Sequence, residues 1–177
     1  MTIIPVRMTS LKRVERRRPR TWLSRALLAL MTTPPALFLT RHISWKLDPL
    51  LLRVTGGRLS SALYIRTAVL ETRGAKSGEL RRNAVIYFHD GDRVTIIPSN
   101  AGAARNPAWF HNLVAHRDVT LGALPMWATV VRDEEERRRL WMLADLVFPP
   151  FEKFRRKAVA ANRSIPIVQL ARRDAGA

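Results

Sequence analysis

Residues Asn83–Ser99 read "NAVIYFHDGDRVTIIPS". Two runs dense in Val, Ile, Tyr and Phe flank an Asp90-Gly91 pair. β-branched and aromatic side chains suit a pleated, half-buried surface, and Asp-Gly supplies the positive φ that a tight hairpin demands. The stretch is therefore a strand, a turn and a strand.

Working outward, "ALYIRTAVLETRG" (62–74) has the same composition and reads as a preceding strand. "NPAWFHNLVAHRD" (106–118) reads as a short helix with Asn106 as its cap and Pro107 in its first turn. "DVTLGALPMWATVVR" (118–132) gives two short strands around Gly122 and Pro125. "DEEERRRLWMLADLVF" (133–148) is the clearest helix, with Asp133 as cap, Glu134 to Glu136 at the positive end of the dipole, and a stripe of Leu140, Leu143, Ala144 and Val147. "IPIVQL" (165–170) is a last strand and "ARRDAGA" a frayed tail. The order strand–hairpin–helix–hairpin–helix–strand predicts an α+β fold, a small antiparallel barrel with helices packed on it.

The 177 residues are enough for one domain with a sizeable core, and 47% hydrophobic content supports a globular chain. With no cysteine, disulfides, thiolate metal sites and cysteine nucleophiles are excluded. The net charge of +17 is unevenly spread: residues 1–60 hold 12 Lys and Arg against two Asp and Glu, and residues 61–177 hold 19 against 12. Such a surface attracts membrane headgroups, nucleic acid or an acidic ligand.

The basic run "RVERRRPRTWLSR" (13–25) leads into "ALLALMTTPPALFLT" (26–40). Arg25 and the Pro34-Pro35 pair interrupt the apolar stretch, so a membrane span is not expected, and a long charged start without a clean cleavage site does not fit an export signal. Two readings stand for residues 10–41: an interfacial helix with Trp22 at the boundary and arginines on anionic lipid, or a basic arm whose leucines pack on the main domain. A short helix is expected between Ile43 and Leu63, ended by Gly56-Gly57.

Catalytic motifs are sparse. His42, His89, His111 and His116 have no metal-ligand spacing, and no Gly-x-Ser-x-Gly elbow, P-loop or Gly-x-Gly-x-x-Gly is present. Two loops remain. "ETRGAKSGELRRNAV" (71–85) carries Arg73, Lys76, Arg81 and Arg82, more cations than a turn needs. "PSNAGAARNPAWFHNL" (98–113) combines small residues, amides and an indole. Small residues let backbone N–H groups approach a ligand, Asn106 or Asn112 can reach ring carbonyls, and Trp109 is either a flat wall for an aromatic system or core.

"TRGAKSGELRRNAVIYFHDGDR" followed by "PSNAGAARNPAWFHNL", with "LLRVTGGRLS", "LWMLADLVFPPF" and "IPIVQL", resembles the deazaflavin-dependent nitroreductase family, over roughly residues 50–170. The resemblance implies a split β-barrel over 46–171, a basic extension over 1–45, a tail over 172–177, and coenzyme F420 as cofactor. It implies that Lys76, Ser77, Arg81, Arg82 and Asn83, with Arg73 where Ala75 replaces a cation of some relatives, hold the phosphodiester and oligoglutamate tail. At about 4 Å each ion pair is worth ~1 kcal/mol in bulk water and ~4 kcal/mol at an effective dielectric of 20. It implies that Ile97, Pro98, Ser99 and Asn100 by their backbone, and Ala108, Trp109 and Asn112, hold the ring.

The implied reaction is hydride transfer to a quinone, enone or nitro-compound, by a chain in the cytoplasm or on the inner face of its membrane. Phe148, Phe151 and Phe154 stand where the best-known relatives have tyrosines around the substrate; they read as an apolar substrate pocket or as plain packing, and the missing phenols weigh against nitroimidazole activation. FMN or haem in a related barrel and a membrane-docked carrier without turnover are the alternatives. No nucleic-acid-binding motif accompanies the charge, and no feature indicates an oligomeric state.

Overall fold

The computed structural model describes residues 67–173. The basic extension, the helix expected within 43–63, the start of the first strand and the last four residues lie outside that range.

Strand β1 (Thr67–Arg73) pairs with β2 (Leu80–Asp90), and β2 pairs with β3 (Arg93–Ile96). Helix α1 (Ala108–Ala115) leads to the hairpin β4 (Asp118–Leu121) and β5 (Leu124–Val130). Helices α2 (Glu134–Val147) and α3 (Pro150–Ala160) follow, and β6 (Val168–Arg172) completes the sheet. The strand order is β1-β2-β3-β6-β5-β4, closed by β4 against β1 through Leu70 opposite Leu121. Closure leaves no open edge whose N–H and C=O groups could recruit another chain.

Period-2 alternation makes this barrel. In β1 Ala68, Leu70 and Thr72 point inward and are buried, while Arg73 is exposed. Leu70, Ile96, Leu121, Met126, Val168 and Leu170 fill the interior, and burying each such side chain contributes roughly 1.5–3 kcal/mol.

The hairpin of Asn83–Ser99 forms as expected, with its turn shifted by one residue. Asp90 ends β2 opposite Arg93, so the two-residue loop is Gly91-Asp92, and Gly91 alone has positive φ (58°). A glycine first in such a loop is what a type II′ turn calls for. Asp133 caps α2 by accepting from the Glu136 amide at 2.8 Å. Arg139 on α2 then forks onto Asp90 at 2.8 and 2.5 Å and onto Glu136, tying the helix to the end of β2.

Three readings are corrected. Asn106 does not cap α1; Pro107, in extended conformation, occupies the cap position and no side chain caps the helix. The segment after α2 is a helix of its own, α3, started by Pro150 in its first turn and facing the core with Phe151, Phe154 and Ala158. Ala171 and Arg172 belong to β6 rather than to a frayed tail.

Candidate functional site

The loop between β1 and β2 is a compact turn. The Gly74 amide donates to the Glu79 carbonyl at 2.8 Å, and the Gly78 amide to the Gly74 carbonyl at 2.9 Å. Arg73 reaches the Gly78 carbonyl at 3.4 Å, and Ser77 Oγ accepts from the Glu79 amide at 3.4 Å. Lys76 and Ser77 stand exposed at the tip. Two of the four cations are engaged by the loop's own carboxylates: Arg81 lies 2.6 Å from Glu79, and Arg82 lies 2.5 Å from Glu71 across the β1–β2 ladder. Asn83 is half-buried one position further along β2, opposite Leu70.

The second loop runs from Ile97 to Pro107. Ile97 and Pro98 are buried, and the chain then enters the left-handed region at three successive residues: Asn100 (φ 47°), Ala101 (φ 50°) and Gly102 (φ 75°). Ser99 is still right-handed (φ −63°, ψ −36°). A right-handed residue followed by a left-handed one turns successive N–H groups into a concavity suited to an electron-rich ligand atom. The amides of Asn100 and Ala101 donate to no carbonyl among the described residues.

Two side chains hold this loop and the helix after it in place; Asn112 was already a candidate in the sequence, and Arg163 was not. The first is Arg163, only 8% exposed. The end of α3 aims it: the Asn162 amide donates to the Val159 carbonyl and the Arg163 amide to the Ala158 carbonyl, with Asn162 left-handed at φ 53°. This is the Schellman pairing that reverses a chain after a helix. The Arg163 guanidinium donates to the carbonyls of Pro98 (2.5 Å), Ala103 (2.5 Å) and Ser99 (3.1 Å) and to Asn106 Oδ1 (2.9 Å). Burial pulls its pKa below the usual guanidinium value. The signal that could have found it was the "AANRS" helix end, visible only once α3 is recognised from Phe151, Phe154 and Ala158 at helical spacing.

The second is Asn112 on α1. Its Nδ2 donates to Thr72 Oγ1 at 3.1 Å, and its Oδ1 accepts from the Ala75 amide at 3.1 Å. One amide thus joins the helix after the second loop to both the end of β1 and the cationic turn. Trp109, one helical turn earlier, is buried at the edge of the core, and Ala108 beside it is exposed.

Phe148, Phe151 and Phe154 are brought together but face one another. Their ring centroids lie 5.0 to 6.5 Å apart, Trp141 adds an edge contact to Phe151 at 6.2 Å, and all three phenylalanines are buried. The backbone of Phe154 supports the second loop: a Cβ on Gly102 would come within 2.6 Å of the Phe154 carbonyl oxygen.

The model of the F420H(2)-dependent quinone reductase family matches residues 45–171. The chain belongs to this family. It is 30% identical, over 146 residues, to the F420H(2)-dependent quinone reductase Rv1261c of Mycobacterium tuberculosis, covering 77% of this chain and 97% of that protein. A solved F420-H2 dependent reductase superposes with a TM-score of 0.52 at 28% identity, over 59% of this chain and 92% of that one. A second structure, described as a domain-swapped dimer, gives a TM-score of 0.52 at 26% identity, over 59% and 78%.

The residues present fit a deazaflavin coenzyme. A cationic turn and a loop with two amides that donate to no carbonyl among the described residues are held side by side by Asn112, which suits a ligand with an anionic arm and a polar heterocycle. Among the described residues no group of three or more His, Asp or Glu side chains is placed to hold a metal, and no helix is long and apolar enough to cross a membrane.

Proposed function

We propose that this chain binds reduced coenzyme F420 in the angle between the two loops and catalyses reduction of a quinone-type acceptor. The single observation that carries the reading is the Asn112 bridge, which locks the cationic turn to the helix following the second loop in a chain of this family. Lys76, Ser77, Arg73 and Asn83 hold the phosphodiester and the first carboxylates of the tail. Arg81 and Arg82 do so only by sharing themselves with Glu79 and Glu71. The backbone of Ile97 to Asn100 and the start of α1, at Ala108, Trp109 and Asn112, hold the ring.

When bound, the reduced deazaflavin supplies the hydride. What the chain supplies is position and electrostatics: N–H groups at the Asn100 bend stabilise negative charge on the ring's polar edge, and Arg163 keeps that bend rigid. Phe148, Phe151 and Phe154 pack on one another, with Phe154 backing Gly102, and offer an acceptor no donor. That chemistry suits a quinone, which needs no phenol from the protein to accept a hydride.

The test is fluorescence titration with coenzyme F420, followed by reduction of a menaquinone analogue under reduced coenzyme. Wild type should bind and turn over, and Lys76→Ala with Arg81→Ala should weaken binding about tenfold, or ~1.4 kcal/mol. Absence of binding by wild type sinks the reading, and preference for FMN in competition would move the chain to a flavin barrel. A location on the inner face of the cell membrane is the finer part of the proposal, motivated by the basic excess of residues 1–60. Anionic vesicles should sediment the full chain but not a variant with Arg16, Arg17 and Arg18 changed to Glu.

A further inference from the structure

A cleft of about 710 Å³ opens beside the cationic turn. Arg73 of β1 forms one wall, the end of α1 (Val114, His116, Arg117) another, and Trp127 of β5 and Arg173 beyond β6 complete it. Three arginines and a histidine line this space. The one carboxylate among them, Asp118, is ion-paired with Arg173. Arg117 has no carboxylate partner among the described residues. Trp127 is 43% exposed and Val114 53% exposed, although the inward neighbours of Trp127, Met126 and Ala128, are buried. A smaller depression lined by Glu71, Leu80 and Thr120 adjoins it, sharing Arg73, Asp118 and Arg173 with the cleft.

The turn itself is poorer in available charge than its sequence suggests, because Glu79 and Glu71 engage Arg81 and Arg82. The cleft adds Arg117 to the cations left available at the turn. We propose that it is a second anion site, which receives a flexible chain of carboxylates arriving past Arg73. The inference rests on the cofactor reading above, and it extends that reading to where the far glutamates of the tail lie. Charge complementarity selects an anionic occupant, and the stems of the arginines with the indole of Trp127 suit the methylenes between carboxylates. A concave trough fits a chain better than it fits a lipid surface, which meets protruding groups. A separate acidic peptide shares the same chemistry; Arg73, which ends β1 at the turn and also lines the cleft, favours the tail.

The test compares wild type with Arg117→Glu, at an exposed position where folding is not at risk. The ligands are a long-tailed coenzyme, a coenzyme with one glutamate, and the deazaflavin without phosphate or glutamates. In wild type the long tail should bind about tenfold more tightly than the short one, a gain lost near 1 M salt, where the screening length falls to ~3 Å. Arg117→Glu should abolish that gain and leave the tail-less ring unaffected. An equal gain in both proteins overturns the inference while the cofactor reading stands. Failure of wild type to bind even the tail-less ring overturns both. Binding of a free γ-glutamate oligomer, lost in Arg117→Glu but without competition against the long-tailed coenzyme, supports the anion site and assigns it to a separate peptide. If Arg117→Glu loses only adhesion to anionic vesicles, the cleft is a lipid contact and the inference fails.

Discussion

The guanidinium of Arg163 donates to the carbonyl oxygen of Pro98 at 2.5 Å, across 65 residues of sequence. The same group takes three further acceptors from the second loop, so one side chain at the end of α3 holds four of the loop's oxygens. Arg163→Met should leave the carbonyls of Pro98 and Ala103 and the Asn106 Oδ1 without that donor, at ~1–3 kcal/mol for each that water cannot reach, while the Ser99 carbonyl keeps the Gly102 amide. Urea denaturation should show a loss of at least ~2 kcal/mol. Because the loop is the proposed ring site, affinity for the tail-less deazaflavin should fall as well, and Arg163→Lys should recover stability better than ring affinity, since an ammonium cannot span four acceptors.

Asn112 offers a sharper separation. Asn112→Ala removes both the acceptor for the Ala75 amide and the donor to buried Thr72, and should cost ~1–3 kcal/mol. Asn112→Asp keeps the acceptor, and the Thr72 hydroxyl can donate to it. Its stability should stay near that of wild type, yet the added negative charge beside the cationic turn should weaken binding of the tailed coenzyme more than of the tail-less ring. Equal losses for both ligands would count against a tail held at this turn.

Gly102 is left-handed (φ 75°) and pressed against α3, where a Cβ would also lie 2.9 Å from Lys157 Cβ. Gly102→Ala should therefore lower stability by ~2 kcal/mol or more, through strain and displacement together. At Gly91 the φ is similarly positive but nothing lies within 4 Å of a Cβ. Gly91→Ala should cost only the conformational part, ~1–2 kcal/mol. Thermal melts of the two variants give the comparison directly.

Arg139 makes the acid limb of stability predictable. Its hydrogen bonds hold Asp90 and Glu136 below the ordinary carboxylate range, and the same hydrogen bonds raise the Arg139 pKa in turn. Carboxylates with lowered folded pKa values stabilise the protein above their unfolded pKa, and that contribution disappears as pH falls through the folded values. Stability should thus decline below about pH 4.5, where unfolded carboxylates begin to protonate. Arg139→Met should flatten this decline while changing stability at pH 7 modestly, as measured by denaturant titration at pH 7 and 3.5.

Much of the fold was legible because it is written in short-range patterns. The hairpin of Asn83–Ser99 follows from β-branched alternation around a glycine, α2 from Asp133 and three glutamates ahead of an apolar stripe, and the strand order of the chain from turns between them. Helix α3 escaped because Pro149-Pro150 reads as an interruption, although a proline in a first turn is compatible with starting a helix. Both loop motifs were also visible as local composition.

Amino-acid sequence alone thus determined where strands and turns can form, how basic the chain is, and which two loops are candidates for a ligand site, because each depends on neighbours a few residues apart. Only the tertiary structure decided which cations are already paired, since the Arg82–Glu71 contact is set by strand register. It also decided that Asn112 joins the two loops and that Arg163 secures the second. Those contacts span 37 to 65 residues, and their partners become neighbours only when the barrel closes and α3 folds onto it.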